Sequence, residues 1–145
     1  MTEDADRVGA WAALLRTHAA VVPKLERRLA EKGMPLSWYD VLLVLNAAAD
    51  RRLRMTELGA HAVLSRERVS RVVTELERAG LVSREPNPED GRSSYAAITG
   101  PGRARLRATA PVYLSGIEEH FGRHLSDAEA RTITRALRRV VRAEE

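Results

Sequence analysis

The sequence predicts a mainly α chain carrying a small β-hairpin. Three observations predict it. Apolar residues recur at steps of three, four and seven along most of the 145 residues, the spacing of one helical face. Between Leu81 and Ile98 the period shortens and turn residues cluster, the mark of a strand pair. The chain has no cysteine and is long enough to bury a core without a disulfide or metal staple.

The elements follow in order. Val8, Trp11, Leu15, Val22, Leu25 and Leu29 form a helical stripe between Asp6 and Lys32. Pro23 inside it is expected to kink or locally break the helix. Gly33 then Pro35 gives the stop. Ser37, with Asp40 three residues on, is expected to cap a second helix carrying Val41, Leu42, Val44, Leu45 and Ala48, closed by Asp50-Arg51-Arg52. Thr56 is expected to cap a short helix to about Ala62. Ser65 caps another that runs to Gly80, with Val69, Val72, Val73 and Leu76 on one face. Leu81–Glu85 and Ser93–Ile98 read as strands, and the stretch from Pro86 to Gly91 as their charged, exposed turn, with Asp90-Gly91 a common hairpin pair. Thr99 caps a long helix with Pro101 in its first turn and Leu106, Ala110, Tyr113, Ile117 and Phe121 along it. Ser126 with Glu129 is a capping box opening a last helix with Ile133, Leu137, Val140 and Val141.

Charge is uneven. Between Arg51 and Arg107 twelve Arg and no Lys face seven acids, leaving that segment at +5 and the rest of the chain at −1. A basic middle between near-neutral ends fits either a module for a polyanion or a solvated basic surface. The acidic start, Thr2-Glu3-Asp4-Ala5-Asp6, is unlike a signal peptide, and no uncharged apolar run approaches the ~20 residues of a membrane span. A cytoplasmic chain without a membrane partner is expected.

Two short helices followed by a hairpin make a winged helix-turn-helix. With Val69, Val72, Val73 and Leu76 turned inward, the second of these helices presents Arg66, Glu67, Arg68, Ser70, Arg71 and Thr74 outward. Arg forks onto the two acceptors of guanine in the major groove, and Ser or Thr, Ser65 at the cap included, meets phosphates or bases. Arg92 near the hairpin tip suits the negative potential of a minor groove. Asp90 either orients Arg92 through an ion pair or only shapes the turn.

At these residues the chain resembles the MarR (multiple antibiotic resistance regulator) family, over nearly its whole length. The resemblance is carried by Leu58, Leu64-Ser65, Val69-Ser70-Arg71, the run Leu76-Glu77-Arg78-Ala79-Gly80-Leu81-Val82, Arg84, Asp90-Gly91-Arg92 and Ile98-Thr99-Gly100-Pro101-Gly102. Two positions depart from the family pattern: Gly91 replaces a frequent wing Arg, and Val63 stands where the turn commonly has Gly. The resemblance implies a homodimer built from the first helix and the last two. The terminal helices also carry more apolar residues than a ~50-residue winged helix covers, which itself points to an interface. The implied division is 1–36 for an N-terminal dimerisation helix, 37–98 for the DNA-binding winged helix and 99–145 for C-terminal dimerisation helices. Two recognition helices would then read a pseudo-palindrome in double-stranded DNA.

Similar regulators commonly sense small phenolic or aromatic anions, so a repressor released by such an effector is expected. Trp11, Trp38, Tyr39 and Tyr113, with His18 or Arg16 as a polar handle, are the candidate ligand residues. The same aromatics at helical spacing also serve as core. His120 and His124 have a metal-binding spacing, but Gly122 between them should fray the helix, and no metal or other cofactor is expected. There is no phosphate loop, nucleophile elbow or metalloprotease motif, which argues against an enzyme. Two alternatives remain: an architectural or non-specific DNA-binding protein, and a helical interaction protein that has lost DNA binding.

Overall fold

The structure is a computed structural model that describes all residues except Met1 and Val63. At Thr2, Glu3, Arg66 and residues 90–93 it describes the backbone alone. The chain is mainly helical with one three-stranded antiparallel sheet, and it divides into two compact units: Met1–Arg28 with Val112–Glu145, and Leu29–Pro111.

The second unit holds helix α2 (Leu36–Ala47), strand β1 (Arg52–Arg54), helices α3 (Met55–His61) and α4 (Arg66–Arg78), strands β2 (Val82–Asn87) and β3 (Asp90–Ile98), and the opening turns of α5 (Gly100–His120). Its core is the set of apolar positions with helical or strand period. Val41, Leu42 and Leu45 of α2, Leu58 of α3, Val69, Val73 and Leu76 of α4, and Val82, Ala96 and Ile98 of the sheet are all buried.

Local chemistry sets most boundaries. Gly33 and Gly80 both adopt positive φ, which glycine reaches without a Cβ clash. Each closes its helix with a paired bond: Gly33 N–H to the Ala30 carbonyl with Met34 N–H to Leu29, and Gly80 N–H to Glu77 with Leu81 N–H to Leu76. The residues that follow, Met34 and Leu81, are buried, as are Leu29 and Leu76, so each stop also seals apolar surface. Thr99 caps α5 by accepting from Gly102 N–H at 3.0 Å while its hydroxyl donates to the Gly80 carbonyl at 2.7 Å. A Cβ on Gly102 would collide with the Leu81 carbonyl and Ile98, so only glycine lets α5 start against β2 and β3. The Thr-x-x-Gly spacing therefore joins a helix start, a helix stop and a sheet.

Several expected boundaries need correction. Ser37 does not cap α2: the helix begins at Leu36, with Pro35 in the cap position and its carbonyl accepting from Tyr39 N–H at 3.1 Å. Proline's fixed φ suits this entry to the helix, although its ring cannot accept from the first-turn N–H groups as a side-chain cap would. Thr56 does not cap α3, which begins one residue earlier; the Glu57 carboxylate instead accepts from Arg54 N–H at 3.3 Å. The segment expected to close α2 is a short 3₁₀ turn, Ala49–Arg51, and Arg52 already belongs to β1. The hairpin turn is Pro88–Glu89 alone, because Asp90 is the first residue of β3. Asn87 accepts from Glu89 N–H at 3.0 Å, and this side-chain bond makes so tight a turn without an Asp-Gly pair.

The first unit contains most of α1 (Thr2–Ala30), the rest of α5, a 3₁₀ turn at Gly122–His124 and α6 (Asp127–Glu144). Helix α1 continues through Pro23 without the expected break. The ring removes one N–H, leaving a carbonyl at Ala19, an exposed position where water can satisfy it. Arg28 ties α1 to α5 by pairing with Glu119 and donating to Ser115. The capping box of α6 forms in both directions, Ser126 accepting from Glu129 N–H at 3.1 Å and Glu129 from Ser126 N–H at 2.9 Å.

Candidate nucleic-acid interface

Helix α4 is the centre of the candidate site. Ser65 caps it by accepting from Arg68 N–H at 3.3 Å. Val69, Val72, Val73 and Leu76 face the core, so the 3.6-residue period puts Glu67, Ser70, Arg71 and Arg78 on or beside the opposite, exposed side. Arg68 is also exposed. The side chain of Arg66 lies outside the described residues, as does Val63 in the turn before the helix.

Thr74, expected to face outward, is half-buried and its hydroxyl is engaged. It donates to the Ser70 carbonyl at 2.9 Å and accepts from Arg84 at 2.8 Å. Arg84 comes from β2, donates also to the Ser70 carbonyl at 3.3 Å, and stands 3.7 Å from the Glu77 carboxylate. A second side chain holds α4 from elsewhere: the Trp38 indole N–H, on α2, donates to Glu75 at 2.7 Å. Sequence reasoning found neither contact, because each joins residues on different elements through side chains whose pairing no local spacing encodes.

The sheet has the order β1-β3-β2, with Arg54 opposite Tyr95 across one edge and Glu85 opposite Tyr95 across the other. Arg52 stacks over the Tyr95 ring at 4.4 Å and pairs with Glu85 at 3.2 Å. Hydrogen bonding to Tyr95 holds the Arg54 guanidinium firmly charged. Strand β1 thus brings two arginines against the base of the wing. The side chains of Asp90 and Arg92, and so their expected ion pair, lie outside the described residues.

The candidate ligand residues fall in both units. In the first, Trp11, Arg16 and His18 are exposed on α1, and Tyr113 is half-buried on α5. His18 borders an apolar groove of about 330 Å³ lined by Leu14, Val21, Leu25, Ile117 and Phe121 among others. In the second, Tyr39 is buried in the core and Trp38 is committed to Glu75. His120 ends α5 while His124 belongs to the 3₁₀ turn beyond it, so the two do not share a helix. Burial, helped by Arg28, Lys24 and Arg27, pushes the His120 imidazole below its ordinary pKa. Among the described residues no three His, Asp or Glu side chains gather as a metal site, and no helix is long and apolar enough to cross a membrane.

With this geometry in place, the likeness to known proteins is specific. A model of the MarR family matches residues 32–93, which run from the turn after α1 into β3. The structure resembles Sco3205, a MarR family transcriptional regulator from Streptomyces coelicolor determined in complex with DNA. The two are 31% identical with a TM-score of 0.85, over 96% of this chain and 88% of that one. The chain belongs to the MarR family. Two further relatives carry the names of helix-turn-helix-type transcriptional repressors. One is the transcriptional repressor IacR of Pseudomonas putida, 26% identical over 124 residues, covering 86% of this chain and 72% of IacR. The other is the repressor Mb2911 of Mycobacterium bovis, 30% identical over 99 residues, covering 68% and 70% respectively. The protein is a winged-helix transcriptional regulator of the MarR family, with β2–β3 in its wing.

Proposed function

We propose that this MarR-family regulator binds a pseudo-palindromic duplex as a homodimer and represses transcription until a small aromatic or phenolic effector releases it. The observation that carries the DNA reading is α4. Its buried face fixes the helix, and its other face offers Arg68, Ser70 and Arg71 to a groove. Ser65, Arg66, Arg68, Ser70 and Arg71 are assigned to the major groove and Arg92 to the minor groove, with Asp90 orienting it. Thr74 is assigned to the scaffold, since its hydroxyl is already bonded on both sides.

Dimerisation through residues 1–36 and 99–145 is supported by apolar side chains that one chain leaves in water. Val8, Trp11 and Leu15 on α1 and Val140 and Val141 on α6 are each more than half exposed. Such a set on two amphipathic helices is an interface in need of a partner. For the effector, Trp11, Arg16, His18 and Tyr113 are the better candidates, because Trp38 and Tyr39 already have structural work. Release would follow from an effector that prefers a dimer with the wrong spacing between recognition helices.

Selection from a randomised duplex library at near-physiological salt tests this reading. A recovered inverted repeat with half-sites about one helical turn apart is the expected result. Retention without a motif would favour an architectural binder, and no retention would refute DNA binding.

A further inference from the structure

We propose, resting on the DNA reading above, that Arg84 is a positioning residue that fixes the roll of α4 against the wing and so sets which side chains enter the groove. Its three partners on α4, Ser70, Thr74 and Glu77, lie at i, i+4 and i+7, a single ridge along two turns of the helix. One guanidinium spans that ridge because its donors are arranged as a rigid fork, which a lysine ammonium cannot reproduce. The neighbouring Glu77 carboxylate also balances its charge, so Arg84 has little left to offer a phosphate.

The Trp38–Glu75 bond stands on the other flank of the same helix, roughly a third of a turn away. Between the two struts the exposed arc holds Glu67, Arg71 and Arg78. Side-chain tips ride ~5–6 Å from a helix axis, so a roll of ~10° carries them ~1 Å. That displacement exceeds the whole working range of a hydrogen bond to a base edge. Holding the roll from both flanks is therefore a condition for reading sequence, although neither strut touches DNA.

The test compares Arg84→Lys, Arg84→Gln and Thr74→Val in the full chain, with circular dichroism confirming the fold. Thr74→Val is nearly isosteric and changes no charge. Against the duplex recovered by selection, Arg84→Lys and Thr74→Val should each weaken binding about tenfold, the size expected for one charge-assisted bond. Affinity for a scrambled duplex and the salt dependence should stay as in the wild type. The Arg84→Lys, Thr74→Val double variant should bind no more weakly than either single one. A near-normal Arg84→Lys together with a salt slope reduced by about one in Arg84→Gln would make Arg84 a phosphate contact and overturn the proposal.

A second readout needs no DNA. Amide exchange over residues 74–78 should accelerate in both Arg84→Lys and Thr74→Val, and unchanged exchange would overturn the strut. A protein that retained no duplex yet showed the faster exchange would fail the DNA reading and keep the strut.

Discussion

Asp40 is the side chain whose replacement has the most clearly signed effect. It lies half-buried on α2, and burial pushes its carboxyl from an ordinary 3.8 up to about 6. Below pH 3.8 both folded and unfolded chains hold the proton, and the residue carries no electrostatic penalty. Between 3.8 and about 6 the unfolded chain ionises first, so the folded state loses stability as pH rises through that window. Above it the loss is complete. The full gap corresponds to ~3 kcal/mol, which partial contact with water reduces to ~1–2 kcal/mol. Asp40→Asn keeps the shape and removes the charge. It should gain ~1–2 kcal/mol at about pH 7.5 and almost nothing at about pH 3.5. Urea unfolding of both proteins at equal concentration across that range measures the difference directly. A gain that does not change with pH would refute desolvation as the cause. A loss at neutral pH would mean that the carboxylate has a stabilising partner.

Other substitutions test separate parts of the molecule. Ser65→Ala removes the acceptor for Arg68 N–H and should lower stability by ~1 kcal/mol in thermal melts, without altering α4 content beyond its first turn. Gly102→Ala places a Cβ against the Leu81 carbonyl and should cost ~1–3 kcal/mol; an unchanged melting temperature would contradict the close approach. Val140→Glu with Val141→Glu alters two side chains 59% and 57% exposed in the single chain, so it should leave the helical spectrum intact and shift sedimentation from dimer to monomer. Arg92→Ala should weaken duplex binding across sequences and lower the salt slope by about one, whereas unchanged affinity in a titration would remove Arg92 from the contact set.

The parts of the fold legible in the sequence are those governed by short-range rules. Ser65 and Ser126 at helix starts, Gly80 at a helix stop, and Val69, Val72, Val73 and Leu76 on one helical face all act within a few residues of themselves. The exposed arginines of α4 followed from that face. Strand β1 was not legible, because three residues are too few for an alternating pattern and the strand exists only by pairing with residues 95–97. Arg84 stood out only as one residue of the family resemblance, and Trp38 as an aromatic that either packs or binds a ligand. Their hydrogen bonds to α4 span 10 to 37 residues and emerge only after the chain has folded. The expected caps Ser37 and Thr56 each gave way to a residue two positions earlier, Pro35 and Arg54, because proline's fixed φ opens α2 and the Glu57 carboxylate reaches back to Arg54 N–H.

The wing ends in a turn of only two residues, Pro88 and Glu89, both exposed, in a chain that contains no cysteine. The turn is held by the backbone N–H of Glu89 bonded to Asn87, so the Glu89 side chain contributes nothing to that bond. Glu89→Cys would create a single thiol at the extreme of the hairpin, with no native sulfhydryl to compete for a label. A dye attached there would report the approach of a duplex to the wing by its change in emission, turning a two-residue turn into an optical probe of occupancy.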